Sequence, residues 1–217
     1  MPSEITWPTL LSSLLRGEDL TISEASWAMR RVMLGEATQA QLAGFLVALN
    51  AKGETVDEIV GFRDAILEHA LPLDVDPMAL DIVGTGGDRF GTVNVSTMAA
   101  IVAAASGIPV AKHGNRALSS KCGSADVLEA LGIHADAEPT VVERSMQVAG
   151  IGFAFAPRLH AATRHVSGPR KELGTRTIFN LLGPLTNPAR VRHQVVGVFD
   201  RRWCEPMAGA LGAPGAR

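Results

Sequence analysis

Three stretches of this chain group glycines, hydroxyls and cations at spacings that suit an anionic ligand. The first is Gly84-Thr85-Gly86-Gly87-Asp88, whose glycines let the backbone turn sharply and bring N–H groups close to an anion. A plain tight turn would use the same residues. The pattern fits neither the Walker spacing nor the dinucleotide G-x-G-x-x-G spacing. The second is Thr92-Val93-Asn94-Val95-Ser96-Thr97, where hydroxyl and amide side chains lead into an apolar helical pattern. Such residues cap a helix, and the same helix start attracts phosphate. The third runs from Lys112 to Asp126 as K-H-G-N-R-A-L-S-S-K-C-G-S-A-D. Lys112 and Arg116 can neutralise phosphate charge, and Ser119, Ser120 and Ser124 can donate hydrogen bonds. Cys122 lies in the same stretch, but no spacing argument makes it a nucleophile, and it reads as a small buried thiol.

These residues need elements to hold them. Short β-compatible runs at 80–83, 108–111, 151–156 and 195–199 alternate with helical patterns at 97–106, 125–131 and 140–149. That alternation predicts a mainly parallel sheet flanked by helices. Ligands of such sheets sit beyond the carboxyl ends of the strands, where the three stretches fall. Residues 1–70 follow a different pattern, with apolar side chains at helical spacing such as Leu42, Phe45, Leu46 and Leu49. Thr21–Glu24, Thr38–Gln41 and Thr55–Glu58 have the spacing of capping boxes, and Gly35 and Gly53 fall where helices should stop. A small helical domain is expected there, and residues 211–217 read as a Gly/Ala/Pro-rich tail.

The chain has 217 residues, 47% of them hydrophobic and 19% charged, which suits a folded globular protein. A net charge of −2 argues against a nucleic-acid partner, which would call for a basic face. Two cysteines, Cys122 and Cys204, are too few for a disulfide framework and favour a reduced, cytoplasmic setting. The longest apolar run, 98–111, is broken by Ser106, Gly107 and Pro109 and is shorter than the ~20 residues of a membrane span. Residues 1–20 lack the basic start and apolar stretch of a secretory signal. No membrane partner is expected.

The order G-T-G-G-D, N-V-S-T, then K-H-G-N-R-A-x-S-S-K-x-G-S-A-D-V-L-E-A-L-G closely resembles the anthranilate phosphoribosyltransferase family. A later stretch from Arg170 to Pro188, R-K-E-L-G-T-R-T-I-F-N-L-L-G-P-L-T-N-P, is similar to another hallmark of that family. The resemblance implies an α/β fold of the nucleoside phosphorylase and phosphoribosyltransferase kind. A helical domain at 1–74 would precede a domain at 75–217 with a mainly parallel sheet, and 172–190 would pack with the helices. It implies a glycosyltransferase of tryptophan biosynthesis that joins phosphoribosyl pyrophosphate (PRPP) to anthranilate with Mg²⁺, and a homodimer formed through the helical domain. Carried over, Gly84, Gly87 and Asp88 would line the diphosphate and ribose. Thr92, Asn94, Val95, Ser96 and Thr97 would hold phosphate, with Ser96 also touching one Mg²⁺. Lys112, His113, Gly114, Asn115, Arg116, Ala117, Leu118, Ser119, Ser120 and Ser124 would close around the rest of PRPP. Anthranilate would meet Asn115 and Arg170, with Gly84 and His160 nearby; here His160 is followed by Ala161, where many family members carry proline.

One departure concerns the metal. The family carries an Asp-Glu pair that helps bind Mg²⁺ beyond the point where this sequence stops, and Glu205 lacks the neighbouring Asp and the context to replace it. The sequence therefore reads as truncated relative to the family. Two other readings follow: a non-catalytic binder on the same scaffold, and a pyrimidine nucleoside phosphorylase, whose lysine-containing loops differ from Lys112–Arg116.

Overall fold

The computed structural model describes residues 4–87, 91, 93–117 and 122–213. They gather into two compact units. One takes the chain up to His69 together with 161–186 and 205–213, and the other takes 70–160 and 187–204.

The first unit is helical. It starts with α1 (Trp7–Leu15), α2 (Ile22–Met33), α3 (Gln39–Lys52) and α4 (Val56–Glu68). All three capping boxes form at the N-termini of α2, α3 and α4. At α2, for example, Thr21 Oγ1 accepts the Glu24 N–H at 3.2 Å, and Glu24 Oε2 accepts the Thr21 N–H at 2.9 Å. Gly35 and Gly53 follow α2 and α3 with φ of 73° and 92°, a left-handed backbone that glycine adopts without strain. Glu58 does more than cap. Fully buried, its Oε2 accepts the Thr55 N–H at 2.8 Å and the Lys52 ammonium at 3.0 Å, while Oε1 accepts the Leu20 N–H at 2.9 Å. Trp7, Phe45 and Phe62 fill the interior edge to face, with centroids 5.6 and 5.8 Å apart.

Three later helices belong to this unit: α9 (Arg164–Leu173), α10 (Phe179–Leu185) and α11 (Cys204–Gly212). Residues Leu211 and Gly212, expected in a tail, instead complete α11, because Met207 and Ala210 bury one face of that helix. Gly209 lies against the Val56 side chain, and the buried Arg63 guanidinium donates to the Ala210 carbonyl.

The second unit holds a parallel sheet of β1 (Leu80–Gly84), β2 (Val110–Gly114), β3 (Ile151–Phe155) and β4 (His193–Gly197), in the order β3-β2-β1-β4. Helices α5 (Val95–Ala105), α6 (Ser124–Ala130), α7 (Pro139–Ala149) and the single turn α8 (Ala156–Leu159) accompany it. An α/β protein with a helical N-terminal part is therefore what the alternation of patterns predicted. Two strands start elsewhere than the composition suggested. β2 begins at Val110 because Pro109 has no N–H for a ladder, although its carbonyl accepts the Leu80 N–H at 2.8 Å. β4 begins at His193, since register pairing with Leu80 draws polar His193 and Gln194 into the strand. Ala79, Ala111, Val142, Ala154, Leu159 and Val191 form the core between strands and helices. Among the described residues, no helix is long and apolar enough to cross a membrane.

Candidate functional site

The two central strands each end in a glycine, Gly84 on β1 and Gly114 on β2, and the motif stretches leave from these carboxyl ends. A Cβ on Gly84 would come 3.3 Å from the Gly197 carbonyl oxygen, so the end of β1 runs close to the end of β4. Gly86 and Gly87 follow with φ of 62° and 75°, which turns the chain off the strand end. Asp88, Thr92, Leu118, Ser119 and Ser120, all expected at the site, lie outside the described residues.

Asn94 is the N-cap residue of α5, and Val95, Ser96 and Thr97 form the first turn. Asn94 gives that turn no side-chain cap; its Oδ1 instead accepts the Thr97 hydroxyl at 2.6 Å. Ordinary capping is thus not what these side chains do. Lys112, on β2, reaches the same place. Its ammonium donates to the Ile82 carbonyl at 2.7 Å and lies 3.5 Å from Ser96 Oγ, with only 2% of the residue exposed. Burial pulls its pKa down to about 8, opposed by the charge of Asp81.

Asp81 is a site neighbour that the motifs did not single out. It is fully buried on β1, where it accepts the His113 N–H at 3.0 Å and the Asn187 amide at 2.9 Å. Burial raises its pKa to about 6, and bonds from Asn187 and the His113 N–H, then the Lys112 charge and Gln194, oppose that rise. The only hint in sequence is a carboxylate in an otherwise apolar strand run, which demands partners if the strand is central.

Beyond Gly114 the chain turns through Asn115, Arg116 and Ala117. A Cβ at Gly114 would come 2.7 Å from the Phe153 ring, and one at Gly123 would come 2.4 Å from the Ala117 nitrogen. Only glycine lets the backbones at Gly123 and Ala117 approach so closely, and at Gly114 a side chain would displace the Phe153 ring. Asp126 Oδ2 accepts both the Ala117 N–H at 3.0 Å and the Gly123 N–H at 2.7 Å, tying the two sides of the loop base. Those two bonds hold its pKa below the usual carboxylate range. Ser124 opens α6. Arg116, expected to face phosphate, lies over the Phe155 ring and forms a two-pronged pair with Glu129 at 2.5 and 2.6 Å. Cys122 is exposed, against the expectation of a buried thiol, because the loop base is filled by the Gly123 backbone and not by its neighbour's side chain.

His160 is buried just after α8, with its ring 5.3 Å from that of His113. Gly84, Gly87, Asn94 through Thr97, Lys112 through Ala117, Ser124 and His160 therefore all belong to the α/β unit. Arg170 belongs to the helical unit, on α9, with its guanidinium 5.3 Å over the Phe179 ring. Burial lowers its pKa, and among the described residues no carboxylate pairs with it. No group of three or more His, Cys, Asp or Glu side chains among the described residues is placed to hold a metal ion.

These features define a class of two-part proteins in which polar loops at the carboxyl ends of a parallel sheet accompany a helical bundle. Comparison with known proteins gives that class a family. The a/b domain of the glycosyl transferase family matches residues 76–215, its helical bundle domain matches residues 8–70, and the chain belongs to this family. The anthranilate phosphoribosyltransferase of Clavibacter michiganensis is 55% identical over all 217 residues, and that of Leifsonia xyli is 61% identical over 89% of the chain. The crystal structure of the Thermus thermophilus anthranilate phosphoribosyltransferase superposes with a TM-score of 0.89 at 52% identity, covering 93% of this chain. The Saccharomyces cerevisiae enzyme in complex with PRPP and Mg superposes with a TM-score of 0.86 at 32% identity, covering 96% of this chain. The chain spans 62% of the length of the Clavibacter relative, 55% of the Leifsonia one and 62% of both solved chains.

Proposed function

We propose that this chain provides the substrate-binding parts of an anthranilate phosphoribosyltransferase, which transfers the phosphoribosyl group of PRPP to the amine of anthranilate. The observation that carries the reading is 55% identity over all 217 residues to a relative of that activity. The geometry supports it independently, since the α/β unit buries a cation, Lys112, beside a hydroxyl at the start of α5. In the reaction the amine lone pair forms a bond to the ribose anomeric carbon as the bond to diphosphate breaks. The bonding pair leaves with diphosphate, and the amine gives up one proton. An uncharged amine needs no strong base, so positioning and charge stabilisation supply most of the rate.

In this reading Gly84, Gly87 and Asp88 line the diphosphate and ribose, and Thr92 and Asn94 through Thr97 hold phosphate. Lys112 through Ser120, with Ser124, enclose the rest of PRPP. Arg170 takes the anthranilate carboxylate in a charge-assisted pair, which suits a desolvated guanidinium with no carboxylate partner among the described residues; Asn115, Gly84 and His160 are the anthranilate residues of the α/β unit. Mg²⁺ keeps several waters and relies on substrate phosphates more than on a protein cage. Ser96 fits such a cation as a single hydroxyl ligand. When bound, Mg²⁺ supplies charge neutralisation of the departing diphosphate. The same reading takes 1–74 and 75–217 as the two domains, and gives the protein a cytoplasmic setting and a homodimer through the helices.

Loss of anthranilate fluorescence on mixing the chain with PRPP and Mg²⁺ tests this directly. Consumption of anthranilate with release of diphosphate is the expected result. Binding of PRPP without consumption would make these 217 residues a binder alone, and no binding at all would refute the reading.

A further inference from the structure

The central seam of the sheet is joined differently from its neighbours. β1 pairs with β4 at five successive residues and β2 with β3 at five, but β1 meets β2 in register only at Leu80 and Val110. Beyond that pair, side chains take up the backbone groups along the seam. Asp81 accepts the His113 N–H at 3.0 Å, Asn187 donates to the Ala111 carbonyl at 2.9 Å, and Lys112 donates to the Ile82 carbonyl at 2.7 Å. Asn187 also donates to the second oxygen of Asp81 at 2.9 Å, closing the arrangement. All three side chains are nearly or fully buried.

Backbone pairing would satisfy the same N–H and carbonyl groups without taking a carboxylate out of water. A buried carboxylate and a buried ammonium are a poor device for stability alone. Their placement has one geometric result: the Lys112 ammonium is fixed on β1 beside Ser96, at the carboxyl end of the sheet. Asn187 belongs to the Arg170–Pro188 stretch, whose last residues have no part in the substrate contacts assigned above.

We propose that Asp81 and Asn187 are positioning residues, a buried clamp across the β1–β2 seam that holds β2 so that Lys112 meets the phosphate groups of the phosphoribosyl donor. The inference rests on the donor being PRPP. It predicts that the clamp acts through Lys112 and not merely through the fold.

The test is calorimetric titration of the full chain with PRPP and Mg²⁺ in a double-mutant cycle of Asn187→Ala and Lys112→Met. Each single variant should weaken binding roughly tenfold, the scale of one hydrogen bond to a charged group, with unchanged stoichiometry. The double variant should bind no more weakly than the weaker single. Additive losses, or a reduced stoichiometry with unchanged Kd, would overturn the clamp and leave Asn187 a structural residue.

Should Asn187→Ala not fold, Asn187→Asp serves instead. Its carboxylate would face Asp81 at hydrogen-bond distance, and two such groups share one proton at low pH. Binding relative to wild type at the same pH should recover near pH 5 and collapse by pH 8. Lys112 and His113 on β2, His160 against His113, and Gln194 on β4 face this pair in both proteins, and the wild-type profile at each pH is the reference for their own effect on binding. A ratio constant with pH would overturn the clamp. Wild type that fails to bind PRPP would sink the donor reading and the clamp's role with it, whereas binding that Asn187→Ala leaves unchanged would sink the clamp alone.

Discussion

Replacing Arg170 by methionine should move stability and affinity in opposite directions. The guanidinium is partly desolvated, and its surroundings offer it one aromatic face and, among the described residues, no carboxylate. A cation–π contact at such a site contributes about 0.5–2 kcal/mol, and relief of the desolvation offsets it. Methionine retains an unbranched apolar stem that can pack on Phe179 and suits the helical backbone of α9. The helical unit should therefore unfold in urea within about 1 kcal/mol of wild type, or slightly later. The ligand side has no such compensation. Two hydrogen bonds between a guanidinium and a carboxylate are worth at least ~1.5 kcal/mol each. Their loss of roughly 3 kcal/mol corresponds to about a hundredfold weaker anthranilate binding. Titration of anthranilate fluorescence with diphosphate and Mg²⁺ in place of PRPP, so that no turnover depletes the ligand, reads the affinity, and tryptophan emission in urea reads the fold. Unchanged anthranilate affinity would show that Arg170 does not hold the carboxylate. A large loss of stability with unchanged affinity would make it a structural residue instead.

Two further perturbations address the scaffold. Glu58→Ala removes the acceptor of the Leu20 and Thr55 N–H groups and one of two carboxylates on the buried Lys52 ammonium. It should cost roughly 3–5 kcal/mol, read as an earlier urea midpoint for the helical unit. Asp81 should make the α/β unit less stable as pH rises. Its folded pKa of about 6 exceeds the ordinary 3.8, so the folded state holds the proton more tightly. That contribution is fully present below pH 3.8 and is lost as pH rises through about 6. The stability difference between wild type and Asp81→Asn should shift by about 2 kcal/mol against wild type from pH 4 to pH 7; parallel pH profiles of the two proteins would refute it.

Local chemistry was the most legible part of the sequence. A capping box needs only two residues three apart, so Thr21, Thr38 and Thr55 announced their helices without tertiary help. The box at Thr6 lacks that sequence signature, because Thr9 supplies the reciprocal oxygen in place of Glu or Gln. Helices α9 and α10 were unreadable by periodicity, since Pro169 and Pro184 lie inside them. The glycine and lysine stretches pointed to the right strand ends, but their partners did not follow from spacing. Arg116 looked free for an anion and pairs with Glu129, a residue on the next helix. Asp81 and Asn187 lie far apart in sequence, and only the folded sheet reveals that one carboxylate takes both a backbone N–H and an amide.

The return of residues 161–186 and 205–213 to the helical unit has a consequence for how the chain is made. Arg63 and Val56 face groups on α11 that do not yet exist when α1 to α4 leave the ribosome. At about 5–20 residues per second, the first helices wait roughly 10–30 seconds for α11 to be synthesised. During that interval the bundle holds a buried-type arginine and an apolar face with nothing to cover them. The α/β unit is itself interleaved, needing 187–204 to supply Asn187 and β4. Neither unit can finish before the other is nearly translated, so their folding should be coupled in time, and nascent chains stopped before residue 204 should be the ones that chaperones hold.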